Sequence, residues 1–355
     1  MQGSTRIERM RDAIEGCLVG GAVANAIAMP WQGFTWREIL KITHGNQVSG
    51  LQDVPTGIER KIPEMRSLAL GSTTAPWQLT KVVASSILCC KKFNLFDQAH
   101  AHVEASMSST IGWGETTRDA IAEIKRRFDS EGREGRRPDE PPAAQPDRGM
   151  DNGVIMKIAP LVCLQLLCEE ADTEDPKSAL MDWVRALGAM THPDKNAMAC
   201  AMFMAHVLNE QLDEFESPPN QSGDVMRLID HPQFRLVRDI EPIKTVLGNR
   251  EKRGDILSAP TLLRECAGWS SLASATTAFA LGMFSRQSTD FRTAILETVN
   301  TGCVTDADAA VVGTLVGACV GFSGIPSEWI AAIPDAATAK DFADALVNTF
   351  VGNKI

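Results

Sequence analysis

The sequence predicts an all-α fold of ten or more helices, and three observations carry that. Almost nowhere do apolar and polar residues alternate with the two-residue period of a half-buried strand. Small and apolar residues recur instead at helical spacing, as in Leu79, Val82, Val83, Ser86 and Ile87. The periodic stretches are punctuated by proline, glycine and capping residues, as at Met29-Pro30, Gly112-Trp113-Gly114 and Asp151-Asn152-Gly153.

Taken in order, residues 8–29 read as an amphipathic helix that turns wholly apolar, with Gly20 to Ala28 small enough for close packing and Pro30 as the stop. Trp36 to Ile42 is a short helix, and residues 45–70 lack periodicity and read as a long surface excursion. After the loop 71–76 come helices at Trp77 to Lys91 and Phe96 to Met107, a Thr-capped turn at 112–117, and a helix over 117–128. Residues 129–149 are charged and rich in Pro and Gly, the composition of a mobile loop within one domain spanning 1–355. Helices follow at Val154 to Glu170, Asp182 to Met190 and Lys195 to Leu208, with Thr191-His192-Pro193-Asp194 as a break. A polar loop over 212–224 leads to short helices at 225–229, 234–247 and 258–265. Ser271 to Phe284, Phe291 to Asn300, Glu328 to Ile333 and Ala339 to Phe350 complete the set.

The stretch from Asn300 to Gly313 is distinctive. A polar turn with two acids, Asp306 and Asp308, runs directly into a helix of small residues ending near Gly321. Small residues let another backbone approach, and a helix N-terminus favours anions. Either the acids only cap a core helix, or they belong to a ligand site.

Composition narrows the class. The chain has 355 residues, 44% hydrophobic and 23% charged, a balance typical of globular proteins. A net charge of −10 opposes a nucleic-acid partner, which needs a basic face. No apolar run approaches roughly 18 residues, so no membrane span is expected. The polar N-terminus is unlike a secretory signal, and a cytoplasmic location is expected. The nine cysteines mostly sit in apolar helical stretches and read as core residues in a reducing compartment, while adjacent Cys89-Cys90 lacks zinc or redox spacing.

Five loops in order, at residues 20–33, 74–80, 152–161, 191–193 and 302–308, together resemble one family, the ADP-ribosylglycohydrolases. Gly20 to Gly33 resembles the opening G-x-x-x-G-D-A-L-G-x-P-x-E, and Thr74 to Thr80 resembles T-D-D-T-Q-L-T. Asn152 to Leu161 resembles N-G-A-A-M-R-x-A-P-L, Thr191-His192-Pro193 resembles T-H-x, and Gly302 to Asp308 resembles G-G-D-T-D-T-x. The match spans residues 7 to about 330. The resemblance implies a single all-α domain that cleaves an N- or O-glycosidic bond from ADP-ribose to a side chain. Two magnesium ions, held by carboxylates and Thr hydroxyls, would serve that chemistry.

The motifs depart from the family where the metals would bind. The vestigial metal positions are Thr74, Ala75, Pro76, Val304, Asp306 and Ala307, and only Thr74 and Asp306 keep an oxygen ligand. Asn25 and Gln32 replace an Asp and a Glu of the opening motif. Clustered carboxylates repel one another without a metal, so their joint neutralisation fits loss of both ions, and no cofactor is expected. A metal site would require acids outside the motifs, such as Glu115, Asp151 or Asp308. Pro76 and Trp77 are expected to fill the vacated site.

By resemblance, Asn152, Gly153 and His192 would lie near the ribose and phosphates, with Gly112, Trp113, Gly114, Gln32 and Asn25 around the same cleft. Each also has a purely structural reading as turn, cap or core. Cys303 has no identifiable base to make it a nucleophile. The favoured reading is a pseudoenzyme that binds ADP-ribose, a related nucleotide or a protein partner. The alternative is a metal-independent or altered hydrolase using Asp306 or Asp308 as base or oxocarbenium stabiliser. A third is a closed cleft with a structural role, which the J1-crystallin relatives of the family it resembles suggest is possible for this fold.

Overall fold

The computed structural model describes residues 6–133, 149–170, 176–213, 258–266 and 270–352. The helices expected at 225–229 and 234–247, and most of the loops expected at 129–149 and 212–224, lie outside these residues. Among the described residues the chain forms fourteen α-helices and no strand. They are α1 (Arg6–Ala28), α2 (Trp36–Ile42), α3 (Ala75–Cys90), α4 (Leu95–Ser108), α5 (Glu115–Arg133), α6 (Ala159–Glu170) and α7 (Pro176–Thr191). There follow α8 (Lys195–Asp213), α9 (Ala259–Glu265), α10 (Ala273–Gln287), α11 (Phe291–Thr301), α12 (Thr305–Val320), α13 (Ser327–Ala332) and α14 (Pro334–Phe350).

The centre of the fold is the pair α1 and α12. From Ala13 to Ala28 every residue of α1 is buried. Contrary to expectation, Arg6–Trp31 is long and apolar enough by length and composition to cross a membrane, with mean hydropathy 1.4. Here that apolar surface packs inside the protein, 94% of it buried. Glycines set the crossing: a Cβ at Gly20 would lie 2.3 Å from the Gly313 carbonyl oxygen, and one at Gly16 2.2 Å from that of Gly317. Neither helix can carry a side chain there, so the backbones touch. α10, α11 and α14 pack around this pair.

Local chemistry explains most boundaries. Thr35 and Glu38 form a reciprocal capping box that starts α2. Asn94 caps α4 and Asp290 caps α11 by accepting from the third backbone N–H of each helix. The helix expected from Val154 begins instead as a 3₁₀ turn, Ile155–Lys157, and α6 starts at Ala159. Pro160 explains the break, because it has no N–H to continue a ladder but fits a first helical turn. The helix expected over 117–128 runs from Glu115 to Arg133.

Residues 45–70 form the expected excursion, clamped by buried Arg60. Its guanidinium donates to the carbonyls of Met65 and Leu68, both at 2.7 Å, and pairs with Asp53. The clamp folds Ile62 to Met65 back over the loops described next. Among the described residues no disulfide joins any of the nine cysteines.

Candidate active-site cavity

The N-terminal ends of α3 and α12 meet over one cavity of about 590 Å³. α12 opens at Val304, whose side chain has no oxygen with which to cap. Gln32 substitutes from another loop: its Oε1 accepts from Asp306 N at 3.1 Å. The two loops are further zipped together by Gly33 N to Cys303 O at 2.9 Å and Cys303 N to Phe34 O at 2.7 Å.

Thr74 stands in the capping position of α3, yet its hydroxyl does not cap. It donates to Asp306 Oδ2 at 2.7 Å and accepts from Asn25 Nδ2 at 2.8 Å. Asn25 Oδ1 receives Thr74 N at 2.8 Å, and Asp306 Oδ1 receives Ala307 N at 2.9 Å. Asn25, Thr74 and Asp306 thus form a closed, buried knot tying α1, α3 and α12 together. Burial raises the Asp306 pKa against the hydrogen bonds from Thr74 and Ala307.

A second chain runs beside it. Asn152 Nδ2 donates to Thr276 Oγ1 at 2.9 Å, and that hydroxyl donates to Asp308 Oδ1 at 2.8 Å. Burial pushes Asp308 up to about 7, helped by the Asp306 charge and opposed by the Thr276 bond.

A third group sits on the opposite wall. Asp151 faces the cavity with its side chain 25% exposed. Its Oδ1 receives Gly153 N at 3.0 Å and lies 2.7 Å from His192 Nε2. Burial would raise its pKa, but the hydrogen bonds from His192, Thr116 and Gly153 outweigh that and hold it below the usual carboxylate range. Asp151 is therefore an ionised carboxylate on the wall.

Several expected positions come together here. Gln32, Ala75, Pro76, Gly112, Trp113, Gly114, Asn152, Gly153, Val304, Asp306 and Ala307 all line the cavity. Gly112 is required as glycine: its φ is +78°, and a Cβ would come within 3.0 Å of Thr74 Cβ. Others do not reach it. Asn25 and Thr74 are fully buried in the knot beneath the floor, and Asp308 is 3% exposed behind it. His192 is 0% exposed, because the backbone at Gly153 lies against its ring and that at Gly149 against its main chain. Trp31 is core, edge-on to Phe34. Trp77 does not fill the metal region as expected; it turns away to pack edge-on against Phe342, and Pro76 lines an open cavity. Burial pushes the Cys303 thiol up to about 11, which leaves it protonated.

Motif reasoning missed Glu64, Arg118, Met156 and Ser271, which also line the cavity. Glu64 and Arg118 form a salt bridge of 3.1 Å at its edge. Neither lies in a motif. Glu64 is delivered by the excursion that Arg60 clamps, and nothing in the local sequence signals that fold-back.

Fold and cavity together define an ADP-ribosylglycohydrolase-like protein. The sequence model of the family described as ADP-ribosylglycohydrolase matches residues 6–354, and the chain belongs to that family. A solved structure named "ADP-ribosylglycohydrolase-related protein complex" has the same fold, at 23% identity and a TM-score of 0.65. That similarity covers 96% of this chain and 99% of the other. No curated protein matches this chain.

Proposed function

We propose that this chain is a member of the family that binds an ADP-ribose-type ligand in the cavity without the dinuclear magnesium chemistry. The observation that carries the reading is the closed Asn25–Thr74–Asp306 knot. Magnesium takes oxygen ligands in near-octahedral geometry. Ala75, Pro76, Val304 and Ala307 offer no side-chain oxygen. The oxygens of Thr74 and Asp306 already serve one another, Asn25 and the Ala307 amide. An amide N–H of Asn25 points at Thr74, in a cluster that a dication would need lined by lone pairs. This donor set does not fit two hard cations.

The cavity volume of about 590 Å³ falls within the ~300–1,000 Å³ usual for small-molecule sites. That favours a small-molecule ligand over a closed, purely structural cleft. One observation favours metal-independent hydrolysis as a second reading: Asp151 is an ionised carboxylate facing the cavity with a quarter of its side chain exposed, whereas Asp306 and Asp308 are 4% and 3% exposed.

Calorimetric titration with ADP-ribose in excess magnesium and then in EDTA tests the proposal. The expected result is the same affinity in both, with ADP-ribosylated peptides left intact. Binding that requires magnesium, or none in either buffer, overturns it. Slow peptide cleavage in EDTA that disappears in Asp151→Asn would establish the second reading instead.

A further inference from the structure

Behind Asp151 lies a run of buried polar groups that reaches the core. The Lys157 ammonium is 0% exposed, and its one hydrogen bond among the described residues goes to Thr191 Oγ1, at 2.9 Å. That oxygen is 2.8 Å from His192 Nδ1, and His192 Nε2 is 2.7 Å from Asp151 Oδ1. The direction of every proton follows from donor chemistry. Lysine only donates, so Thr191 accepts from it, and the threonine hydrogen is left to point at His192 Nδ1. His192 Nδ1 is then an acceptor, and the neutral ring carries its proton on Nε2, where it donates to Asp151. The opposite tautomer would set two lone pairs against each other at Asp151 and leave the threonine hydrogen unused.

The cavity side of Asp151 has a definite charge character. Glu64 and Glu115 line the same cavity, and Arg118, the basic residue among the described lining, is paired with Glu64. At Asp151 itself such surroundings suit a hydroxyl donor better than a phosphate oxygen.

We propose that Asp151 is the acceptor that anchors a ribosyl hydroxyl in the cavity, and that Lys157, Thr191 and His192 are positioning residues that keep it an acceptor. This rests on the ligand-binding reading above. The surroundings agree. Burial lowers the His192 pKa, reinforced by the Lys157 charge and opposed by Asp151, so the ring stays neutral. Burial pushes Lys157 down to about 7, opposed by the Asp151 charge. His102 on α4 is the other titratable group facing Lys157, and burial holds it near 3, hence uncharged. A neutral amine gains a lone pair but keeps N–H donors, and the Asp151 carboxylate, which only accepts, still fixes the direction of the chain when Lys157 titrates.

Two measurements test the proposal. In protein labelled with ¹⁵N-histidine, long-range ¹H–¹⁵N spectra report the His192 tautomer, its signal assigned by loss in His192→Gln. A neutral ring protonated on Nε2 at pH 7 to 8 is expected, perturbed in Thr191→Val and restored in Thr191→Ser. A ring protonated on Nδ1, or an imidazolium, overturns the positioning chain whether or not any ligand binds. Separately, Asp151→Asn keeps the shape but turns an NH₂ toward the cavity, and ADP-ribose affinity should fall about tenfold or more. Wild-type binding with unchanged affinity in folded Asp151→Asn overturns the anchoring role alone. Absence of wild-type binding overturns the ligand-binding reading and the anchoring role with it, and the tautomer still decides the chain.

Discussion

Gly317→Val yields no folded protein. A Cβ at this position would lie 2.1 Å from the Gly16 carbonyl oxygen, 2.9 Å from its carbon and 3.2 Å from Gly20 Cα. All three obstacles are main-chain atoms inside a helix, so no rotamer change relieves them. The helices would have to separate, and every residue from Ala13 to Ala28 of α1 would lose its packing. Overpacking in a core costs ~1–3 kcal/mol where side chains can yield. Backbone against backbone at the centre of the fold should exceed ~5 kcal/mol, comparable with a whole domain's stability. Circular dichroism and thermal melting of the soluble fraction decide this. Gly114→Ala is the control, since a Cβ there meets nothing within 4 Å and the melting point should hardly move. A Gly317→Val protein that melts cooperatively within a few degrees of its parent would show that the crossing is looser than described.

The small-residue crossing was legible in the sequence because Gly20 to Ala28 and Ala307 to Gly321 have few other uses. The same cue misled on apolarity: Asn25 and scattered glycines hid how continuous the Arg6–Trp31 run is. For the cavity, motif order located loops well but side-chain direction poorly. Gln32, Pro76, Gly112, Asn152 and Val304 come from five separate loops and line one space. His192 and Trp77, one residue beyond similar landmarks, face the other way. Spacing tells which helix end a residue occupies, whereas the direction of its side chain depends on the partner that covers it. For Trp77 that partner is Phe342 of α14, and for His192 it is the Gly149–Gly153 backbone. Neither contact leaves a trace in the local sequence. Asp151 was visible only as an acid without a place, because its role depends on Lys157 and Thr191 lying behind it.

Asp308→Asn stabilises the protein, and by more at pH 8 than at pH 5. Asp308 is 3% exposed, and its hydrogen bond among the described residues is the Thr276 hydroxyl at 2.8 Å. An asparagine oxygen accepts the same bond, and its NH₂ is the same at every pH, so the pH-dependent part of the difference is the charge alone. In the native state burial raises the pKa to about 7, from 3.8 ordinarily. Between those values the folded protein holds a proton that the unfolded chain has released, so stability falls as pH rises, and above about 7 the full cost persists. Asparagine carries no such cost at any pH. The gain over the parent should therefore grow by about 2–4 kcal/mol from pH 5 to pH 8. Denaturant unfolding at both values in EDTA measures it. The outcome also bears on the absent metal pair. A carboxylate that holds a dication is stabilised as an anion, and its loss would destabilise the protein in excess magnesium. Were magnesium to raise the parental melting temperature, and were Asp308→Asn to abolish that rise, the closed knot at Asn25, Thr74 and Asp306 would have to open on binding the ion, and the proposal of a metal-free cavity would fall.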